Sequence, residues 1–197
     1  MSGALAWLLV ALGLGVVVVR RRSLAVALVT AQALILAVRA HAEAGAAAAL
    51  AVRALVLGVL LLLVVSRTRE PRPVRSGVAP LLRGGLAVTL ALALTWLVPT
   101  LGLVSRNAER GVLALVSFGL VAVATRAATL FQVLGIVLVE NGLALAALQL
   151  HTGSSAAIEL GVACDLTLIA TVAVVFHERI FAEFGAGDVA ALRSLRD

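Results

Sequence analysis

The sequence has no lysine, no tyrosine, one cysteine, four prolines and only five Phe and two Trp in 197 residues. Charge is scarce too: 13% of residues are charged, where a soluble globular domain carries about a quarter. Each shortage excludes something. A lone thiol, Cys164, excludes an internal disulfide. It also excludes an iron–sulfur cluster or zinc site built from this chain alone, since such sites need several Cys or His ligands. If the protein belongs to a redox enzyme, the redox centres are elsewhere. So few aromatic rings give no basis for a cofactor pocket. No HExxH, GxxxxGK[ST] or GxSxG pattern occurs either, so no catalytic residue, metal or cofactor is assigned.

The shortage of charge excludes a water-soluble fold. With 62% hydrophobic residues and a mean hydropathy of +1.15, the chain cannot cover itself with polar surface, and its solvent is the lipid bilayer. All sixteen basic residues are Arg, the net charge is +6 and the isoelectric point is about 11.5. Nucleic acid is not the expected partner, because the arginines sit at the ends of apolar runs, where they set topology.

A spanning helix needs about 20 mostly apolar residues. Seven segments qualify: 3–19, 24–38, 46–65, 86–104, 112–125, 128–150 and 156–176. The second and fifth are short, and a six-helix count competes if either inserts only partly. The expectation is an all-α polytopic transmembrane bundle of about seven helices forming one integral membrane domain, 1–197. The first segment differs from a signal peptide, whose positive charge precedes its apolar stretch; here Arg20, Arg21 and Arg22 follow it. Loops after the odd segments hold most of the arginines. By the positive-inside rule the N-terminus is expected outside and the C-terminus inside. The loop 66–80 carries three of the four prolines. In the tail 185–197, Asp188 stands at an N-cap position, with Val189, Leu192 and Leu195 at helical spacing. That pattern predicts a short amphipathic cytoplasmic helix.

Ala and Gly within the spans let helix backbones approach closely, as helices associating in lipid require. Abundant Ala is equally a product of GC-rich coding.

Charges deep in a span carry the functional information, because a central charge costs about 2.5–3.5 kcal/mol to insert. Glu140 lies roughly 18–20 Å along the sixth segment and Asp165 roughly 13 Å into the seventh, both near the midplane. Sequential antiparallel helices usually pack side by side, so the two carboxylates can face a common interior. A carboxyl shifted toward neutral pH by burial takes up and releases protons under working conditions. Two of them bridged by water make a step of a proton relay. Gln132, Asn141 and Thr167 are the supporting polar groups that can hold such water. Glu159, one turn from the outer end of its helix, either serves outer access or is simply interfacial. Arg53, two turns into the third segment, either pairs with a central carboxylate, structurally or to tune its charge, or snorkels outward. His41, His151 and His177 fall at helix ends, as solvated residues do.

The run FQVLGIVLVENG around Glu140, IELGVACD ending at Asp165 and the closing GDVAALRSL, in that order and spacing, resemble hydrogenase-4 component E. That family is a membrane subunit of formate hydrogenlyase-type complexes. The resemblance covers the last third of the chain. Its rear three helices, here 105–176, are similar to the K-type subunit of respiratory complex I and the C-type subunit of multisubunit cation/proton antiporters. The resemblance implies a noncatalytic subunit of a complex I-like group 4 [NiFe]-hydrogenase in the cell inner (plasma) membrane. Glu140 and Asp165 would be its two buried carboxylates on a proton path. The implied partners are antiporter-like membrane subunits and hydrogenase-module subunits. Two positions depart from the family: Asp165 stands where K-type subunits carry Glu, and Arg53 where some relatives carry Lys. Arginine stays charged at working pH and cannot pass a proton.

Two other readings stay open. A subunit of a multisubunit Na⁺/H⁺ antiporter explains the carboxylates equally, though seven segments exceed the three of the similar subunit. A stand-alone small-solute permease or scaffold would show repeats or helices broken at the midplane; Pro99 lies near the end of the fourth segment with no matching break elsewhere.

Overall fold

In hydrocarbon a backbone satisfies its N–H and C=O groups only within a helix or a closed barrel. The Leu-, Ala- and Val-rich runs of this chain take the helical solution. The computed structural model describes residues 3–40, 44–67, 78–103, 105–149, 169–171, 173–175 and 179. These contain α1 (Gly3–Val18), α2 (Arg22–Arg39), α3 (Ala44–Arg67), α4 (Pro80–Leu97), α5 (Arg106–Thr125) and α6 (Thr129–Ala147). Residues 169–171 and 173–175 belong to a seventh helix. The protein is an all-α helical bundle. Helices α2 to α6 are each long and apolar enough to cross a membrane; α1, at 16 residues, is shorter.

Local chemistry sets the helix ends. Pro80 opens α4, where its missing N–H is harmless, and Pro99 follows the last turn. The fourth helix therefore runs six residues earlier than the hydropathy segment 86–104. Arg83, counted among the loop arginines from sequence, lies in its first turn. Helices α2 and α5 each gain polar N-terminal residues that hydropathy omitted, starting at Arg22 and Arg106. Ser117 and Thr125 donate back to the carbonyls of Leu113 and Val121, at 2.7 and 2.6 Å, which removes two hydroxyls from contact with apolar surroundings.

Consecutive helices run antiparallel, so the C-terminal ends of α1, α3 and α5 meet the N-terminal ends of α2, α4 and α6. This end holds Arg20, Arg21, Arg22, Arg67, Arg83 and Arg126; the other holds Arg39, Arg106 and Arg110. The closest pair is α5 and α6. A Cβ added at Gly119 would stand 2.5 Å from the Gly135 carbonyl oxygen, and one at Gly135 would stand 2.8 Å from that of Gly119. Two glycines thus let the backbones touch, as in small-residue helix contacts in lipid. Helix α3 packs on α2, with Gly58 against Thr30, and α4 packs on α5 and α1.

Large apolar side chains also cover the outside. Leu81, Leu92, Trp96 and Leu97 of α4 and Val52, Leu55, Val59 and Leu63 of α3 are exposed. A girdle of this kind suits hydrocarbon rather than water.

Candidate functional site

The inner helices present stripes at three- and four-residue spacing, and those of α2, α3 and α6 each carry a polar residue at mid-helix. On α2 the buried stripe runs Ala25, Val29, Gln32, Leu36. On α3 it runs Ala46, Leu50, Arg53, Leu57, Leu61, Val64. On α6, Leu134, Val137, Leu138 and Asn141 are buried, with Glu140 beside them. Helical periodicity therefore aims Gln32, Arg53 and Asn141 into the bundle.

There they join. One Arg53 nitrogen donates to Glu140 Oε2 at 3.1 Å, and another donates to Asn141 Oδ1 at 3.0 Å. Asn141 Nδ2 donates to Gln32 Oε1 at 2.8 Å, and Gln32 Nε2 donates to the Leu9 carbonyl of α1 at 2.8 Å. The result is one polar chain through α3, α6, α2 and α1. Arg53 is 2% exposed and Glu140 22%; Gln32 and Asn141 are fully buried. Arg53 lies about 13 Å from the start of α3 and Glu140 about 16 Å from the start of α6, so the chain sits well inside the bundle. Helices α3 and α6 share no broad packing face. The guanidinium spans the distance between them.

The donor and acceptor types explain the order. Arginine offers a fixed fork of donors and matches a carboxylate on one prong and an amide oxygen on the other. The two primary amides pass the donor–acceptor sense along, each accepting at its oxygen and donating at its nitrogen. The fork is thereby fixed in orientation beside the carboxylate. The charges of Arg53 and Glu140 balance each other, which the low dielectric of a membrane interior favours.

Of the residues singled out from sequence, Arg53, Glu140 and Asn141 come together. Gln132 does not join them: its Nε2 donates to the Arg126 carbonyl at 3.0 Å and ties down the α5–α6 turn. Asp165, Glu159 and Thr167 lie outside the described residues, as do His41, His151, His177 and the tail 185–197. Gln32 and the Leu9 carbonyl were not anticipated. The signal for Gln32 was available, since a lone amide in the apolar run of α2 falls on the core stripe. Among the described residues no group of three or more His, Cys, Asp or Glu side chains comes together to hold a metal.

A second polar feature caps the Arg-rich end. Arg126, just beyond α5, donates to the carbonyls of Val17 and Val19, and its guanidinium stacks over the Phe131 ring at 3.8 Å. It thus takes up the negative end of the α1 dipole. Burial, then the charges of Arg83 and Arg20, push its pKa down to about 9, so at neutral pH it keeps its proton. At the opposite end, a cleft of about 300 Å³ opens between α4 and α5, lined by Trp96, Pro99, Arg106, Glu109 and Arg110 among others.

No protein family matches the chain, and no solved structure matches it. It is similar to the uncharacterized protein Rv0085 of Mycobacterium tuberculosis, with 33% identity over 133 residues. That match covers 66% of this chain and 59% of the relative, so the chain spans about three fifths of the relative's length.

Proposed function

We propose that this protein is a noncatalytic membrane subunit of a complex I-like group 4 [NiFe]-hydrogenase, of the formate hydrogenlyase type, that carries protons through buried carboxylates. The supporting observation is the Arg53–Glu140 pair held inside the bundle by Asn141 and Gln32. A helical bundle has no structural need for two formal charges there, and ionisable groups within spans are functional by default. In this reading Glu140 is the proton carrier, and Asp165 is the second carboxylate of the path. Arg53 supplies a fixed positive charge that no working pH removes. Loading a proton onto Glu140 weakens its hold on Arg53 and alters the field felt by the next carboxylate. The amides of Asn141 and Gln32 orient the guanidinium and carry no proton themselves. Glu159 serves outer access. The resemblance to hydrogenase-4 component E implies the partners in this reading: antiporter-like membrane subunits and the hydrogenase module, in the inner (plasma) membrane, with the N-terminus outside.

The test is the intact complex, pulled down from its native membrane in mild detergent and reconstituted into vesicles. Glu140→Gln is expected to leave assembly intact and abolish proton translocation. Unchanged translocation by the assembled variant would reject the relay role. Recovery of the protein alone, with its partner genes expressed, would reject the subunit role. Recovery with antiporter subunits and no hydrogenase-like large subunit would replace the hydrogenase by an antiporter.

A further inference from the structure

Arg83 is fully buried, yet among the described residues none of its three guanidinium nitrogens has a hydrogen-bond partner. Its position follows from α4, whose inward residues are Arg83, Gly84, Ala87 and Ala91. Gly84 brings this first turn against Val18, so Arg83 stands at the C-terminal end of α1. The same end receives Arg126, which donates to Val17 and Val19 and whose Nε has no partner. Arg20, exposed, follows directly in sequence, and its charge and that of Arg83 both bear on Arg126. Three guanidinium groups therefore converge, and among the described residues no carboxylate pairs with any of them. The α1 carbonyls compensate part of the Arg126 charge. Among the described residues nothing compensates Arg83, and a guanidinium does not escape burial by losing its proton.

We propose that Arg83, with Arg126 and Arg20, binds a phosphate-bearing anion at the Arg-rich end of the bundle, either the headgroup of an anionic phospholipid or free phosphate. Arginine forks match phosphate oxygens two at a time, and basic pockets between spanning helices suit acidic headgroups. The position at a helix end puts the site at headgroup depth rather than in hydrocarbon. Arg20 is exposed at this end, and the long Arg83 stem would let its buried head turn to meet an anion beside it.

The full chain, purified in neutral detergent, would be unfolded thermally with added phosphatidylglycerol, phosphatidylcholine or inorganic phosphate, and retained lipid counted by native mass spectrometry. Phosphatidylglycerol near saturation is expected to raise the Tm by roughly 5 °C or more, and phosphatidylcholine not at all. Arg83→Gln should abolish the rise, while Arg110→Gln, at the opposite end, keeps it. In the absence of anion Arg83→Gln should melt higher than the wild type, because it removes an uncompensated buried charge. Arg83→Lys keeps the charge without the fork and should bind about tenfold more weakly. An equal rise with inorganic phosphate, with no retained lipid, identifies free phosphate as the source and supports the site. No response to either anion, or the same response in Arg83→Gln as in the wild type, overturns it. So does wild type that ignores both anions while Arg83→Gln loses its partner subunits in a pull-down; the counter-charge is then a partner's carboxylate.

Discussion

Arg53 of α3 and Glu140 of α6 meet at 3.1 Å although 87 positions separate them in the chain. Neither helix packs its face broadly on the other, so the pair is a long-range side-chain bridge across the interior rather than a by-product of helix contact. Removing one partner should therefore hurt more than removing both. Arg53→Met or Glu140→Gln alone is expected to destabilise the protein by about 3 kcal/mol, and the double variant Arg53→Met/Glu140→Gln to recover most of that. Denaturant or thermal unfolding of the four proteins in detergent closes the cycle. Strict additivity would show that the two charges do not interact.

Asn141 and Gln32 are expected to act on the orientation of Arg53 rather than on charge. Gln32→Leu breaks two hydrogen bonds, one to Asn141 and one to the Leu9 carbonyl. Its cost should be about 1 kcal/mol, a typical figure for polar contacts between spanning helices. Arg53→Lys keeps the charge but cannot reproduce the fork to Glu140 and Asn141 together. Translocation by the assembled complex should fall in Arg53→Lys and partly in Gln32→Leu. Wild-type rates in both would show that the fork is structural only.

The α5–α6 crossing gives a steric prediction with its own control. At Gly119 an added methyl meets the Gly135 backbone, which cannot move aside without parting the helices. Gly119→Ala should cost about 2 kcal/mol. Gly85 of α4 has nothing within 4 Å of an added Cβ, and Gly85→Ala should be neutral or gain up to about 1 kcal/mol of helix propensity. Comparable Tm shifts for the two variants would refute the close crossing.

Phe131 lies under the Arg126 guanidinium. Phe131→Leu keeps the volume roughly constant but removes the ring face, and should cost about 1 kcal/mol. The loss should vanish in an Arg126→Gln background; if it persists unchanged, the ring acts only through packing.

Much of this architecture was legible in the chain. Seven apolar runs, prolines at helix margins and charge concentrated at run ends led to a helical membrane bundle. Arg53, Glu140 and Asn141 stood out because charge or amide inside a span is costly. Helix margins were less legible: hydropathy placed the fourth helix six residues late because it discounts Arg83, Gly84 and Gly85, whereas the backbone continues through them once Pro80 has begun the turn. Gln132 was expected to hold water in the relay, yet its amide donates to the turn carbonyl of Arg126.

The sequence by itself determined the solvent and the secondary structure, because both depend on local quantities: apolar run length, backbone satisfaction in lipid and the placement of proline. Only the tertiary structure decided which polar groups meet. Arg53 had open choices between snorkelling outward and pairing inward, and periodicity alone does not say which helix faces which. Packing α3 on α2, and α2 on both α1 and α6, put the Gln32, Asn141 and Arg53 stripes around one interior. The same packing left Arg83 buried without a hydrogen-bond partner among the described residues. Such pairings are global, since a charge in low dielectric seeks a counter-group in space irrespective of its distance along the chain.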